Sequence, residues 1–192
     1  MPRITAPTVA EHRTRQRVAL LAAATELLVS QGAGAVTPGA VGAAAGLARP
    51  SVYQYFSSGA DLLAAVVEDA FPQANADLRT ALERSTDPAD RLDIYVRTTL
   101  RLARDGAHRA VAALAAAPLP EQCRARLAEL HREQAAPLLA ALQDLEVPDP
   151  ALTAQLLGGA LRAAMAALDA GCDFDAVTER TLALVRATTR TR

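Results

Sequence analysis

Alanine and leucine run through this chain in stretches that proline and glycine interrupt, and β-branched runs are nearly absent. Both residues are strong helix formers, so the sequence specifies an all-α protein. Much of the 51% hydrophobic content is alanine. The core must therefore come from closely packed helices rather than from bulky side chains. At 192 residues there is room for one domain of ordinary size and a smaller one.

The first of the helical stretches covers residues 10–31. It spaces Val18, Leu21, Ala22, Thr25, Leu28 and Val29 as the apolar face of an amphipathic helix. Gly32 is expected to close it as a left-handed cap. Thr37 is a good N-cap for a second helix, with Pro38 at the first helical position, where its missing N–H costs nothing. Gly39 and Gly42 weaken that helix and Gly46 stops it, so it depends on packing. Arg49 precedes Pro50, which disfavours helical backbone at Arg49. A third helix is therefore expected from Pro50 to Phe56. Ser58 caps a fourth, with Asp61 as the capping-box partner. This order is helix-turn-helix geometry. Breaks at Pro72, Pro88, Gly106, Pro118–Pro120, Pro148–Pro150 and Gly171 divide the rest into five or six further helices, about nine in total. The expected organisation is a domain over 1–60, with its motif at about 37–56, and a larger helical domain over 61–192.

Aromatic residues are scarce: three Tyr, three Phe and no Trp. Tyr53, Tyr55 and Phe56 nevertheless fall together. On a helical wheel Val52 and Phe56 share the face that anchors the third helix. Pro50, Ser51 and Gln54 point the other way, and Tyr53 and Tyr55 lie on the shoulders. Two phenols at the edge of a small bundle are one reading. A face shaped for the major groove, with hydroxyls reaching phosphates on either side, is the other, and turn, spacing and face agree on it.

The stretch LLAAATELLVSQGAGAVTPGAVGAAAGLARPSVYQYFSSGADLLAAV resembles the N-terminal DNA-binding domain of the TetR/AcrR family of bacterial transcriptional regulators over about residues 14–70. The resemblance rests on the glycine ending helix one, the Thr opening helix two, the AAG before the turn and the YxYF closing helix three. It implies that Thr37 touches a phosphate. It likewise implies that Arg49, Pro50, Ser51 and Gln54 meet base edges or nearby backbone, and that Tyr53 and Tyr55 grip phosphates. Arg13, Arg15 and Arg17 would form an arm beside helix one, or simply a solvated helix start. The chain departs from the family pattern in three places. Ala48 stands where a capping Ser is usual, Pro50 where Gly is frequent, and Gly59 where a phosphate-binding Lys is usual. Ser58 and the N–H groups opening helix four remain available to phosphate. A shallower salt dependence than is usual for such domains is expected.

In the C-terminal part, LTAQLLGGALRAAMAALDAG carries two apolar stripes. One is Leu152, Leu156, Gly159, Ala163 and Ala166; the other is Leu157, Leu161, Ala164, Met165 and Leu168. A helix apolar on two faces must be covered twice. Phe174, Val177, Thr181, Leu184 and Thr188 alternate three and four apart, as a coiled-coil seam does. Leu156, Gly159, Ala163, Phe174, Val177, Thr181 and Leu184 are accordingly candidates for a homodimer interface, which would suit a palindromic site on double-stranded DNA. The resemblance also implies a pocket for a small-molecule effector among helices four to seven. Tyr95, His108, Cys123, His131 and Met165 are candidates to line it, although ordinary core or surface is the commoner role for each such residue.

Net charge is −1, and 1–66 holds five arginines against three acids while the remainder holds 15 against 18. All 20 basic residues are arginine, a pattern coding bias would also produce. There is no HExxH, no Gly-rich phosphate loop and no GxSxG, and His12, His108 and His131 are scattered. An enzyme, a metal site and a cofactor are not expected. No charge-free apolar run approaches the roughly 18 residues of a membrane span. The start MPRITAPTVAEHRTRQR lacks the apolar stretch of a secretory signal. Isolated Cys123 and Cys172 fit a reducing cytoplasm. The leading expectation is a ligand-responsive transcriptional regulator that acts as a repressor. The alternative is a helical small-molecule sensor whose DNA binding is weak or lost, as Ala48 and Gly59 suggest.

Overall fold

The computed structural model describes residues 9–189. Ten α-helices form there: α1 (Val9–Gln31), α2 (Pro38–Ala44), α3 (Arg49–Val52), α4 (Gly59–Asp69), α5 (Pro72–Leu82), α6 (Pro88–Arg104), α7 (Arg109–Ala116), α8 (Glu121–Asp144), α9 (Pro150–Asp169) and α10 (Phe174–Thr189). A 3-10 turn at Ala33–Ala35 joins α1 to α2.

The chain divides into two compact units, residues 1–69 with 110–126, and residues 70–109 with 127–192. The break expected near residue 60 falls inside the first unit, because α4 packs with α1 there.

In the first unit the buried stripe of α1 is Leu20, Leu21, Ala24 and Leu28. Val18 and Val29, expected on the inner face, are 60% and 39% exposed. The stripe is rotated from its expected position because Ala19, Ala22, Ala23 and Ala24 let several helical faces look equally apolar. Gly32 takes positive φ as expected, but with ψ 172° rather than the left-handed helical value. That region is essentially open to glycine alone. Val41, Val52, Phe56, Leu62, Leu63, Val66 and Val67 are buried with the α1 stripe. Arg126, at the start of α8, makes a two-pronged ion pair with Glu68 of α4 at 2.7 and 3.1 Å. The hydrogen bond from Arg126 holds the Glu68 carboxyl below its ordinary pKa.

The second unit has a core of Leu78, Leu92, Val96, Leu100, Leu142, Leu157, Leu161, Leu182 and Val185, drawn from α5, α6, α8, α9 and α10. Asp87 caps α6 and Asp149 caps α9, each accepting a backbone N–H three residues on. By length and composition α9 is long and apolar enough to cross a membrane. The expectation of no span rested on a charge-free run, and Arg162 does interrupt this one. Its Leu157, Leu161 and Ala164 belong to the core of this unit.

Candidate nucleic-acid interface

The interface is built from the α2–α3 turn upward. Thr37 Oγ1 accepts the Ala40 N–H at 3.2 Å, so the cap read from the sequence forms. Gly46 has φ 69°, which a side chain would strain, and it lets Leu47 N–H reach back to the Gly42 carbonyl at 2.8 Å. Gly42 sits where α3 crosses closest. A Cβ there would lie 2.8 Å from Val52 Cγ2 and 2.9 Å from the Leu47 carbonyl oxygen. The absent side chain is what lets the two short helices touch.

Helix α3 begins one residue earlier than expected, at Arg49, with Ala48 extended at φ −65°, ψ 143°. Ala48 takes the non-helical backbone that was assigned to Arg49, and Pro50 occupies the second helical position. Regular helix ends at Val52, and the chain continues to Phe56 as a turn in which the N–H groups of Tyr55 and Phe56 both bond the Val52 carbonyl. Val52 and Phe56 are buried beneath it. Arg49, Pro50 and Gln54 are exposed, Ser51 is half-buried, and Tyr53 is 46% exposed.

The two phenols differ in environment. The Tyr53 hydroxyl accepts from the Arg49 guanidinium at 3.0 Å, and that guanidinium lies 5.7 Å from the Tyr53 ring centre. The half-buried Tyr55 instead donates to Gln16 Oε1 of α1 at 2.7 Å. Arg13 lies 5.9 Å from the Tyr55 ring and Arg17 5.6 Å from the Phe56 ring. Arg15 turns away, its Nε on the Glu11 carbonyl. Gln16 was missed by sequence reasoning, since 39 residues separate it from its partner.

Ser58 Oγ accepts the Asp61 N–H at 3.1 Å, capping α4. Asp61 returns to Ser57, not Ser58, accepting its N–H at 2.8 Å and its hydroxyl at 3.2 Å. Gly59 is tightly placed, since a Cβ there would sit 2.7 Å from the Val36 carbonyl oxygen.

Residues 20–66, the stretch that forms this unit's helix-turn-helix, match the family model for bacterial regulatory proteins of the tetR family. These residues form a helix-turn-helix segment of the tetR type. The fold of a TetR-family regulator extends over most of the chain. It is shared with SCO4454, a TetR-family transcriptional regulator from Streptomyces coelicolor, at 22% identity over 95% of this chain and 93% of that one, TM-score 0.76. It is shared also with reduced NemR from E. coli, at 22% identity over 93% and 100%, TM-score 0.75. The transcriptional regulator FadR from Bacillus subtilis, in complex with stearoyl-CoA, gives 17% identity over 88% and 96%, TM-score 0.75. Likeness at these identities establishes the fold. No curated protein matches by sequence.

The residues suggested for an effector pocket do not come together. Cys123 is buried in the first unit, where burial raises its thiol pKa. In the second unit His108 pairs with Asp169 at 2.7 Å, and His131 bonds the Leu127 carbonyl and meets the Phe71 ring edge-on at 5.1 Å. Met165 packs on the core. Tyr95 is buried, donates to the Gln134 carbonyl at 3.3 Å, and has its pKa pushed up to about 12 by desolvation. A cleft of about 320 Å³ in this unit opens instead between α5, α6 and α8, with Leu78, Leu82 and Pro137 beside Asn75, Arg79 and Arg91. Only Tyr95 approaches it, through Gln134, which lines it. His108 Nδ1 is buried without a hydrogen-bond partner. The Asn75 Oδ1, in the lining of the cleft, is likewise buried without a partner.

The two stripes of α9 differ in burial. Leu157, Leu161 and Ala164 are inside, while Leu152 and Leu156 are 50% and 66% exposed, with Ala163 and Ala166 exposed and Gly159 half-buried. On α10 the expected seam does not all face outward. Thr181 is buried, Phe174 lies under the Arg104 guanidinium at 4.6 Å, and Val177 packs on the core, whereas Leu184 is 49% exposed. Thr178, Leu182 and Val185 occupy the inner face more fully, so the seam of α10 is rotated toward its own unit.

Proposed function

We propose that the chain is a ligand-responsive repressor that binds palindromic operator DNA as a homodimer in the cytoplasm and is released by a small molecule. The observation that carries the DNA-binding part is the α3 segment itself. Arg49, Pro50 and Gln54 are exposed together above buried Val52 and Phe56. That leaves one guanidinium and one carboxamide, both able to read base edges, on a helix braced from beneath. Thr37 and Tyr53 flank them and serve phosphate.

A second copy covers the outer stripe of α9, where Leu152 and Leu156 are exposed, together with Leu184 of α10. Exposed leucines repeating at helical spacing favour a partner helix over water. The effector occupies the cleft between α5, α6 and α8, and shifts the dimer toward a conformation whose recognition segments no longer match successive grooves. FadR from Bacillus subtilis, with its stearoyl-CoA, is a same-fold precedent for a bound small molecule.

The alternative, a sensor with weak or lost DNA binding, draws on Ala48, which supplies no side-chain cap to α3, and on Gly59. A gel shift against the DNA upstream of the chain's own gene separates the two. A shifted band that Arg49→Ala weakens supports the repressor; no band at any protein concentration supports the sensor.

A further inference from the structure

The inner stripe of α1 does not end at Leu20. Counting back at helical spacing from Leu28, Ala24 and Leu20, positions 17, 16 and 13 continue the same face. There the stripe changes from apolar to polar, as Arg17, Gln16 and Arg13 lie against the aromatic turn that follows α3. Arg17 stacks on Phe56, Arg13 on Tyr55, and Gln16 accepts the Tyr55 phenol at 2.7 Å.

A phenol has one proton to donate, and a phosphate diester oxygen only accepts. With its proton committed to Gln16, Tyr55 has none left for DNA. The same bond fixes the plane of the Gln16 carboxamide through its oxygen, and its two amide N–H groups have no acceptor among the described residues. We infer that Gln16 is a positioning and phosphate-contact residue of the interface: its carbonyl holds Tyr55, and its amide N–H groups, with Arg13 and Arg17 beside them, take a backbone phosphate of duplex DNA. The inference rests on the DNA-binding reading above and transfers the phosphate contact from Tyr55 to its neighbour on α1. Fixed carboxamides and guanidiniums are the groups that set a protein's register on the duplex without reading its sequence.

Gln16→Glu separates contact from mere structure. The Glu side chain has the same shape and still accepts from Tyr55, but it replaces both donors with an anionic oxygen. On a mixed-sequence duplex at low salt, the full-length Gln16→Glu variant is expected to bind at least about tenfold more weakly than wild type, with an unchanged thermal midpoint. Gln16→Met, neutral and lacking both functions, should also weaken binding, and Tyr55→Phe should add little to it, since the two residues act as one unit. Arg13→Ala should lower the salt slope by about one. Wild-type binding by Gln16→Glu or by Gln16→Met would overturn the inference while leaving the DNA-binding reading intact. A wild type that binds no duplex would overturn both.

Discussion

The Arg49 guanidinium donates to the Tyr53 hydroxyl at 3.0 Å while lying 5.7 Å from the centre of the same ring, so one tyrosine holds the single charged side chain of α3 in two ways. An exposed arginine otherwise samples many rotamers, and ordering it on DNA costs roughly 1 to 2 kcal/mol. Tyr53 removes part of that cost before DNA arrives. Arg49→Ala is expected to weaken binding to selected DNA by about tenfold or more, through lost base or phosphate contact. Tyr53→Phe keeps the ring and loses only the hydroxyl, so a smaller loss of about threefold is expected. Fluorescence-anisotropy titrations at one fixed salt concentration check both, with the oligomeric state of each variant unchanged.

Gly42 and Gly59 make the first unit intolerant of side chains at two positions. Gly42→Ala forces a methyl to 2.8 Å from Val52 and 2.9 Å from a carbonyl oxygen. It should lower stability by about 1–3 kcal/mol. Gly59→Lys would place a cation where such domains usually have one, yet its Cβ meets the Val36 carbonyl oxygen at 2.7 Å. It should cost stability rather than simply restore a phosphate contact. Urea unfolding followed by circular dichroism measures both, and a Gly59→Lys variant as stable as wild type would show that the α1–α2 connection yields.

What the sequence made legible follows from how local each signal is. The Thr37 cap, the Gly46 stop and the Val52–Phe56 anchor each depend on residues within a few positions, and all three form. The faces of α1 and α10 came out rotated, because alanine and threonine give a helical wheel little contrast between inside and outside. Gln16 could be found only by extending the Leu20–Leu28 stripe backward and asking what a polar residue does on an inner face. The cleft in the second unit left no trace, as it is lined by common residues whose meeting depends on three separate helices.

Tyr95 gives the second unit an alkaline limit. Its phenol is buried, and its pKa is raised from 10 to about 12. The raised value means the neutral form is favoured in the folded state. This contribution is therefore intact below pH 10 and is lost as pH rises from 10 toward 12. It is worth on the order of 2 kcal/mol. Wild type should lose stability over that window relative to its own value at pH 8, and Tyr95→Phe should lose less. Unfolding midpoints at pH 8 and pH 11 for the two proteins decide it.

Leu156 on α9 and Leu184 on α10 are exposed, and the proposed homodimer would bury both. If the proposed dimer forms there, Leu156→Glu should convert it to monomer by burying an unpaired carboxylate at the interface, with little effect on helix content. Leu184→Glu should act in the same direction. Thr181→Glu should instead unfold the unit, because Thr181 is buried within its own chain. Sedimentation velocity and thermal unfolding on the three variants distinguish loss of the mate from loss of the fold.

Selecting fragments of the source genome on the immobilised full-length protein, in parallel with Arg49→Ala, tests the central claim most directly. Wild type is expected to enrich a short inverted repeat that the variant fails to enrich, and the small molecule that fits the cleft should release it. Equal recovery of the same fragments by both proteins, or no enriched sequence at all, would contradict recognition through α3.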